Sequence, residues 1–352
     1  MKFKLILIMA AVISSLSSCG KANVRVLAPT DYVKFIEGSA DIVLLDVRTP
    51  EEFSQSHLPE AVNIDFNTPE FLATVEKQIP VDRNIAVYCR SGRRSLEAAN
   101  KLSAAGYNVV DLEGGILNWE KAELPVTDGT YDFYTTKGGK EIKIEPLIHA
   151  SIRIVFNDKE IEIDPVGTLG NRTTDYSRFP KADMILITHE HHDHLDPQAV
   201  RTLSKNDTIV IANANSAGIL GFGEVMKNGD KRVFADGIEI EAVPAYNVSP
   251  DRLQFHPKGR DNGYILTLDG LRIYIAGDTE VIPEMEKLGK IDIAFLPCNL
   301  PYTMTPGQFV EAAEKIKPRV VYPYHYGTTD LTSITPALAP TGIYVRICPF
   351  DP

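Results

Sequence analysis

The spacing of apolar and polar positions divides the chain into two stretches. From about Val24 to Asp128, short apolar runs alternate with helical segments. The runs are DIVLLD (Asp41 to Asp46), IAVYC (Ile85 to Cys89) and NVVDL (Asn108 to Leu112), and a helix from Ser95 to about Ala105 is stopped by Gly106. That order predicts an α/β domain with a small parallel sheet over residues 24–128. Pro, Gly, Thr and Lys dominate from Leu124 to Gly139, so residues 129–140 read as a linker. Beyond it, EIKIEP, SIRIVF and KEIEID follow in quick succession between Glu141 and Asp164 with alternating character. YILTLD and LRIYIA are joined at Gly270 as a hairpin, and helical segments fall near Pro197 to Ser204, Pro283 to Leu288 and Pro306 to Ile316. Two sheets packed face to face with helices outside, spanning 141–352, are the simplest architecture for this half.

Length agrees with the division: 352 residues predict two domains rather than one. With 44% apolar and 24% charged residues the composition is that of a globular protein, and 36 basic against 47 acidic residues argue against a general nucleic-acid binder, which needs a basic face. The first twenty residues differ. Lys2 and Lys4 precede the apolar run Leu5 to Ile13, too short to span a bilayer, so residues 1–19 read as a signal peptide. Leu16-Ser17-Ser18-Cys19 resembles the lipobox of bacterial lipoproteins, which implies lipidation at Cys19 and an exported, membrane-anchored protein. Gly20 at the next position resembles outer-membrane sorting. Cys89, Cys298 and Cys348 remain, an odd number, so at least one thiol stays free.

One thiol has a chemical setting. Cys89 closes a strand and Arg90-Ser91-Gly92-Arg93-Arg94 leads into a helix, so the sulfur faces helix N–H groups and three guanidinium groups that favour a thiolate. The stretch resembles a rhodanese domain through Leu44 to Arg48, Glu51-Glu52-Phe53, His57 to Ile64, the Cys89 to Arg94 loop, Leu112 to Gly115 and Trp119. The resemblance implies that Cys89 carries sulfur as a persulfide. Arg90, Ser91, Gly92 and Arg93 would cradle a sulfane-sulfur donor such as thiosulfate, with Arg94 the firmest anion contact. Spacing favours sulfur over phosphate, since the related phosphatases carry Cys-x5-Arg and this loop is Cys-x4-Arg. Ser56 and Glu60 stand where the family commonly has glycine.

The second chemical signal is a run of ligands. An apolar strand, Met184 to Thr188, leads directly into His189-Glu190-His191-His192-Asp193-His194, which holds four of the chain's 8 histidines. Histidines at alternate positions followed by Asp-His can aim at two metal positions a few ångströms apart. Asp278 and His325 each follow a later strand. Together these resemble the metallo-β-lactamase fold, an αββα sandwich, and most closely its branch of N-acyl phosphatidylethanolamine phospholipase D and ascorbate-phosphate lactonase-like proteins. The resemblance implies one metal held by Asp193, His194 and His325, and Asp278 bridging to a second held by His189 and His191. Where the family places the remaining histidine ligand, this chain has Asn247. The second site is then weaker, completed by water, or completed by His256, which otherwise reads as a substrate contact. Asp164 is expected to brace the histidine loop, His149 to stand behind the ligands or in the core, and Tyr302 to line the pocket or pack.

Two adjacent cations, zinc by the family pattern with iron or manganese as alternatives, imply hydrolysis of a small-molecule ester, lactone, amide or phosphodiester, with Asp193 or Asp278 taking the proton. Two other readings stay open: an iron-dependent persulfide dioxygenase, and a non-catalytic metal- or sulfur-binding lipoprotein.

Overall fold

A computed structural model of the chain describes residues 24–37, 42–128, 130–348 and 350. Cys19 and the expected signal peptide lie outside the described residues. Among those described, no helix is long and apolar enough to cross a membrane.

The first domain is a five-stranded parallel sheet in the spatial order Arg25–Leu27, Asn108–Leu112, Asn84–Tyr88, Ile42–Asp46, Val62–Asn63. Helices cover both faces, and neighbouring residues of one strand therefore enter opposite cores. Leu45 and Val87 pack with Leu102 on one face, while Leu44 and Ala86 pack with Leu112 and Trp119 on the other. Burial of both faces is why these strands read as unbroken apolar runs. Buried Asp46 grips Arg48 through three side-chain contacts of 2.6–3.0 Å, and Arg48 also donates to the Ser56 carbonyl, which anchors the turn before His57.

The second domain is a sandwich of two mixed seven-stranded sheets. One runs Glu224–Val225, Ile209–Ala212, Met184–Ile187, Lys159–Ile163, Ile152–Phe156, Glu141–Pro146, Asp132–Thr135. The other runs Lys231–Val233, Ile238–Ala245, Asp261–Leu268, Leu271–Ile275, Ile293–Pro297, Val320–Tyr324, Tyr344–Val345. Ile152, Ile154 and Phe156 face the central core, whereas Met184–Ile187 is buried on both sides, Met184 and Leu186 inward and Ile185 and Ile187 beneath the helix Pro197–Leu203. Helix Pro306–Ile316 covers the second sheet, opened by a Thr305–Gln308 capping box and Pro306 in its first turn.

The segment expected as a linker, 129–140, differs: Asp132–Thr135 is an edge strand of the first sheet, paired with Glu141–Pro146. Its buried positions are Asp132 and Tyr134, so no apolar run marks it in the sequence. Asp132 accepts from Arg346 Nε at 3.0 Å and from the Tyr322 hydroxyl at 2.8 Å. The domains touch where Arg319 pairs with Glu60 at 2.8 Å and the Tyr344 hydroxyl donates to the Ala61 carbonyl at 2.9 Å.

Candidate metal centre

Strand ends converge on one point. Lys159–Ile163 and Met184–Ile187 run parallel and finish side by side at Asp164 and Thr188. The Asp164 carboxylate accepts from Thr188 N at 2.7 Å and Thr188 Oγ1 at 2.6 Å, and meets His194 Nδ1 at 2.8 Å. That contact leaves His194 Nε2 facing the site. Asp278 follows Leu271–Ile275 through Gly277, where φ is +64° and a Cβ would stand 2.7 Å from the Asn262 carbonyl, so only glycine fits. His325 follows Val320–Tyr324, and its backbone N–H donates to the His149 carbonyl at 3.0 Å. His149, Asp164 and His325 all have positive φ, a strained backbone state that clusters where function over-determines geometry.

Three sets of ligand atoms lie within 4.8 Å of one another: His149, Asp193, His194 and His325; His189, His191 and His256; and His189, His194 and Asp278. Asp278 joins the first two. Its carboxylate is 3.3 Å from His194 Nε2, 3.2 Å from His325 Nε2 and 3.3 Å from His256 Nε2. Two donor atoms of a tetrahedral ion with bonds of about 2.0 Å stand about 3.3 Å apart, so this spacing suits shared coordination. His194 Nε2, His325 Nε2 and Asp278 Oδ1 are buried and have no hydrogen-bond partner among the described residues, which fits nitrogen and oxygen ligands of a divalent metal.

Electrostatics agree with that fit. Burial opposes charge on His194 and His325, yet Asp278 and the neighbouring carboxylates overcome it, holding His194 well above the usual range and His325 at about 9. The pocket thus favours positive charge. Burial would raise Asp193, but the hydrogen bond with His149 and the His325 ring 3.3 Å away hold it far below the carboxylate range. Burial, and then neighbouring His194, push His189 well down, and burial pushes His256 to about 4, so both rings are neutral, the form that ligates.

His149, expected behind the ligands or in the core, has its Nε2 3.1 Å from Asp193 Oδ2 and its ring 3.8 Å from that of His325, and its nitrogen also falls within the first set of ligand atoms. His256, expected from the sequence as a substrate contact or a ligand, sits among the candidate ligand atoms with Nε2 3.3 Å from His191 Nδ1. Asn247 is not in the cluster. Its side-chain amide donates to the carbonyls of Arg252 and Tyr302, and its N–H donates to the His256 carbonyl at 2.8 Å, so it supports the loop that carries His256. Tyr302 is exposed beside that loop, and His192 points away with an 88% exposed side chain. Sequence reasoning missed Glu190, which accepts from Asn213 and Asn215 at 3.0 and 2.9 Å and lies 3.4 Å from Arg260. Its position between two ligands was the available signal.

Residues 143–325 match the Beta-lactamase superfamily domain and residues 29–122 the Rhodanese-like domain. The chain belongs to the metallo-β-lactamase superfamily. A UPF0173 metal-dependent hydrolase of Thermococcus onnurineus is 38% identical over 199 residues, 53% of this chain and 85% of that protein. Another from Geobacillus sp. WCH70 is 36% identical over 211 residues, 55% and 92% of the two chains. The crystal structure of a candidate metal-dependent hydrolase from Parabacteroides distasonis is 53% identical with a TM-score of 0.60, covering 62% of this chain and 97% of that one. The protein is therefore a metal-dependent hydrolase of the metallo-β-lactamase fold preceded by a rhodanese-like domain.

In the rhodanese-like domain, Cys89 lies buried at the base of its loop, directly after Asn84–Tyr88 and before helix Arg93–Ala104. Gly92 turns the loop with φ +88°. Gly115 lets the next helix approach, since a Cβ there would stand 2.3 Å from the Cys89 carbonyl. The Ile116 N–H donates to that carbonyl at 2.9 Å. Arg90, Ser91 and Arg93 are exposed. Arg94, expected to grip the donor, instead forms a two-pronged pair with Glu52 at 2.7 and 2.7 Å, because Glu52 projects from the facing helix Pro50–Gln55. Both groups are part-buried, and the fork geometry suits arginine.

Proposed function

We propose that this protein is a lipid-anchored envelope hydrolase with a two-metal centre, cleaving an ester, lactone, amide or phosphodiester bond of a small molecule, and that its first domain transfers sulfane sulfur through Cys89. The observation that carries the hydrolase reading is Asp278, whose two carboxylate oxygens reach both histidine groups at 3.2–3.3 Å. His189, His191 and His256 would hold one ion, and Asp193, His194 and His325 the other, with His149 supporting or joining the second group. Zinc matches the ligand types. Bound there, the ions supply Lewis acidity toward a water molecule and the substrate oxygen.

The chain's own groups supply the rest. Asp193, with a side chain 22% exposed against 3% for Asp278, is the carboxylate that reaches solvent and takes the proton of the attacking water. His149 orients it through the 3.1 Å contact. Asp164 and Thr188 fix His194 and His189.

In the first domain, the Cys89 thiolate attacks the outer sulfur of thiosulfate, forming the S–S bond of a persulfide and releasing sulfite with the electron pair of the broken bond. An acceptor thiolate or cyanide then takes that sulfur and returns the Cys89 thiolate. Arg90 and Arg93 receive the anionic donor, while Arg94 holds the loop through Glu52.

The test measures metal per purified chain together with turnover of ester, lactone, amide and phosphodiester panels. About two zinc equivalents with metal-dependent hydrolysis support the reading, and one iron with oxygen uptake overturns it. Sulfur transfer from thiosulfate should vanish in Cys89→Ser, and an unchanged rate overturns the persulfide role. Globomycin-sensitive processing with acylation at Cys19 tests the anchor.

A further inference from the structure

Two loops beside His256 display apolar side chains to solvent. One runs over residues 247–257 and the other over residues 299–303. Val248, Leu253, Leu300 and Tyr302 are each 44–47% exposed. They make up four of the thirteen large apolar side chains exposed among the described residues, far more than such short segments would hold by even scatter. Single exposed apolar residues need no explanation, but a concentration beside a reactive centre does.

The loops are built to stay as they are. Glu280 is fully buried and accepts from Val248 N at 2.7 Å, Ser249 N at 2.6 Å, Ser249 Oγ at 2.7 Å and Arg252 Nη1 at 2.9 Å. The Asn247 amide ties the Arg252 carbonyl to the Tyr302 carbonyl, and the Phe255 and Tyr302 rings meet edge to face at 5.1 Å. Phe255 precedes His256, so this ring pair joins the 299–303 loop to the segment that carries His256.

Charge decides what such a surface receives. The cations of the first loop and its continuation are each matched by a carboxylate: Arg252 by Glu280 at 2.9 Å, Lys258 by Glu284 at 2.9 Å, and Arg260 by Asp261 at 2.7 Å. An anionic phosphate would find these guanidinium and ammonium groups already engaged, whereas a neutral apolar group loses nothing by leaving water.

Resting on the hydrolase reading above, we infer that loops 247–257 and 299–303 form a preorganised shelf for the neutral apolar group of the substrate, which is an acyl ester or amide rather than a phosphodiester. The test uses the metal-loaded full chain and acyl hydroxamates from acetyl to octanoyl, whose binding needs no turnover. Calorimetry should show affinity rising at least about tenfold along the series. In Leu253→Ser/Tyr302→Ser the slope with chain length should fall by at least half. A flat series, a slope unchanged in the double variant, or tighter binding of phenyl phosphate than of octanoyl hydroxamate overturns the shelf. A flat series with self-association that the double variant abolishes assigns the surface to a second copy instead. Absence of any hydrolysis by the metal-loaded chain counts against the hydrolase reading alone, because the hydroxamate slope is read independently of it.

Discussion

His256 Nε2 stands 3.3 Å from His191 Nδ1, although the two histidines are separated by 65 positions along the chain. Asn247, at the place where the family pattern puts a ligand, holds the His256 carbonyl instead, and the loop brings His256 beside His189 and His191. His256→Ala should therefore reduce bound zinc from about two to about one per chain and lower hydrolysis by more than about a hundredfold. Metal analysis by mass spectrometry beside a rate assay checks this. Asn247→Ala should weaken the same ion less, since it removes only the support.

Asp164 is buried and reaches the candidate metal centre through His194. Its carboxylate meets His194 Nδ1 at 2.8 Å and fixes which nitrogen faces the site. Asp164→Asn should raise the metal Kd about ten- to a hundredfold while a chelator competition titration still reads a folded, binding-competent chain.

Ligands drawn from the ends of strands in both sheets couple metal binding to folding. An ion that binds only the folded state, present at about a hundred times its Kd, adds about 2.7 kcal/mol of stability. For a domain of this size, at about 2–4 °C per kcal/mol, that raises Tm by about 5–11 °C. Scanning calorimetry with and without a chelator should show the shift on the second domain's transition and leave the first domain's unchanged.

The first domain should be acid-labile through His57. Burial holds this ring at about 4, below its ordinary value near 6.5. A depressed folded pKa means that stability is fully present above about 6.5 and falls as pH drops toward 4, because the unfolded chain binds the proton first. The loss should approach about 3 kcal/mol, read as a falling urea midpoint between pH 7 and 4. Glu52, held at about 2 by Arg94, adds a further loss below about 4.5, reduced by its partial exposure. His57→Asn should flatten the upper part of the profile.

The buried aromatic stack behind the ligand strands carries part of the site's rigidity. Phe295 is fully buried, its ring 4.5 Å from that of Tyr322 in the neighbouring strand. Phe295→Ala should cost about 3–5 kcal/mol, measured as a lower denaturant midpoint for the second domain.

Local chemistry in the sequence determined much of this protein. Continuous apolar runs located the parallel strands, alternation located Ile152–Phe156, and Gly270 located a hairpin, because side-chain periodicity follows directly from which faces are covered. The run His189 to His194 and the Cys89 loop were legible for the same reason: each is a dense arrangement of scarce residues at the end of one strand. What only the tertiary structure decided depends on residues remote in sequence. Strand Asp132–Thr135 has no apolar run, since its buried Asp132 is satisfied by Arg346 and Tyr322 from the far end of the chain. Arg94 is engaged by Glu52, 42 residues earlier, and His149 reaches Asp193, 44 residues later. Spacing along a chain sets what one strand end can present, but only the pairing of strands sets which ends meet, and the metal centre is the place where they meet.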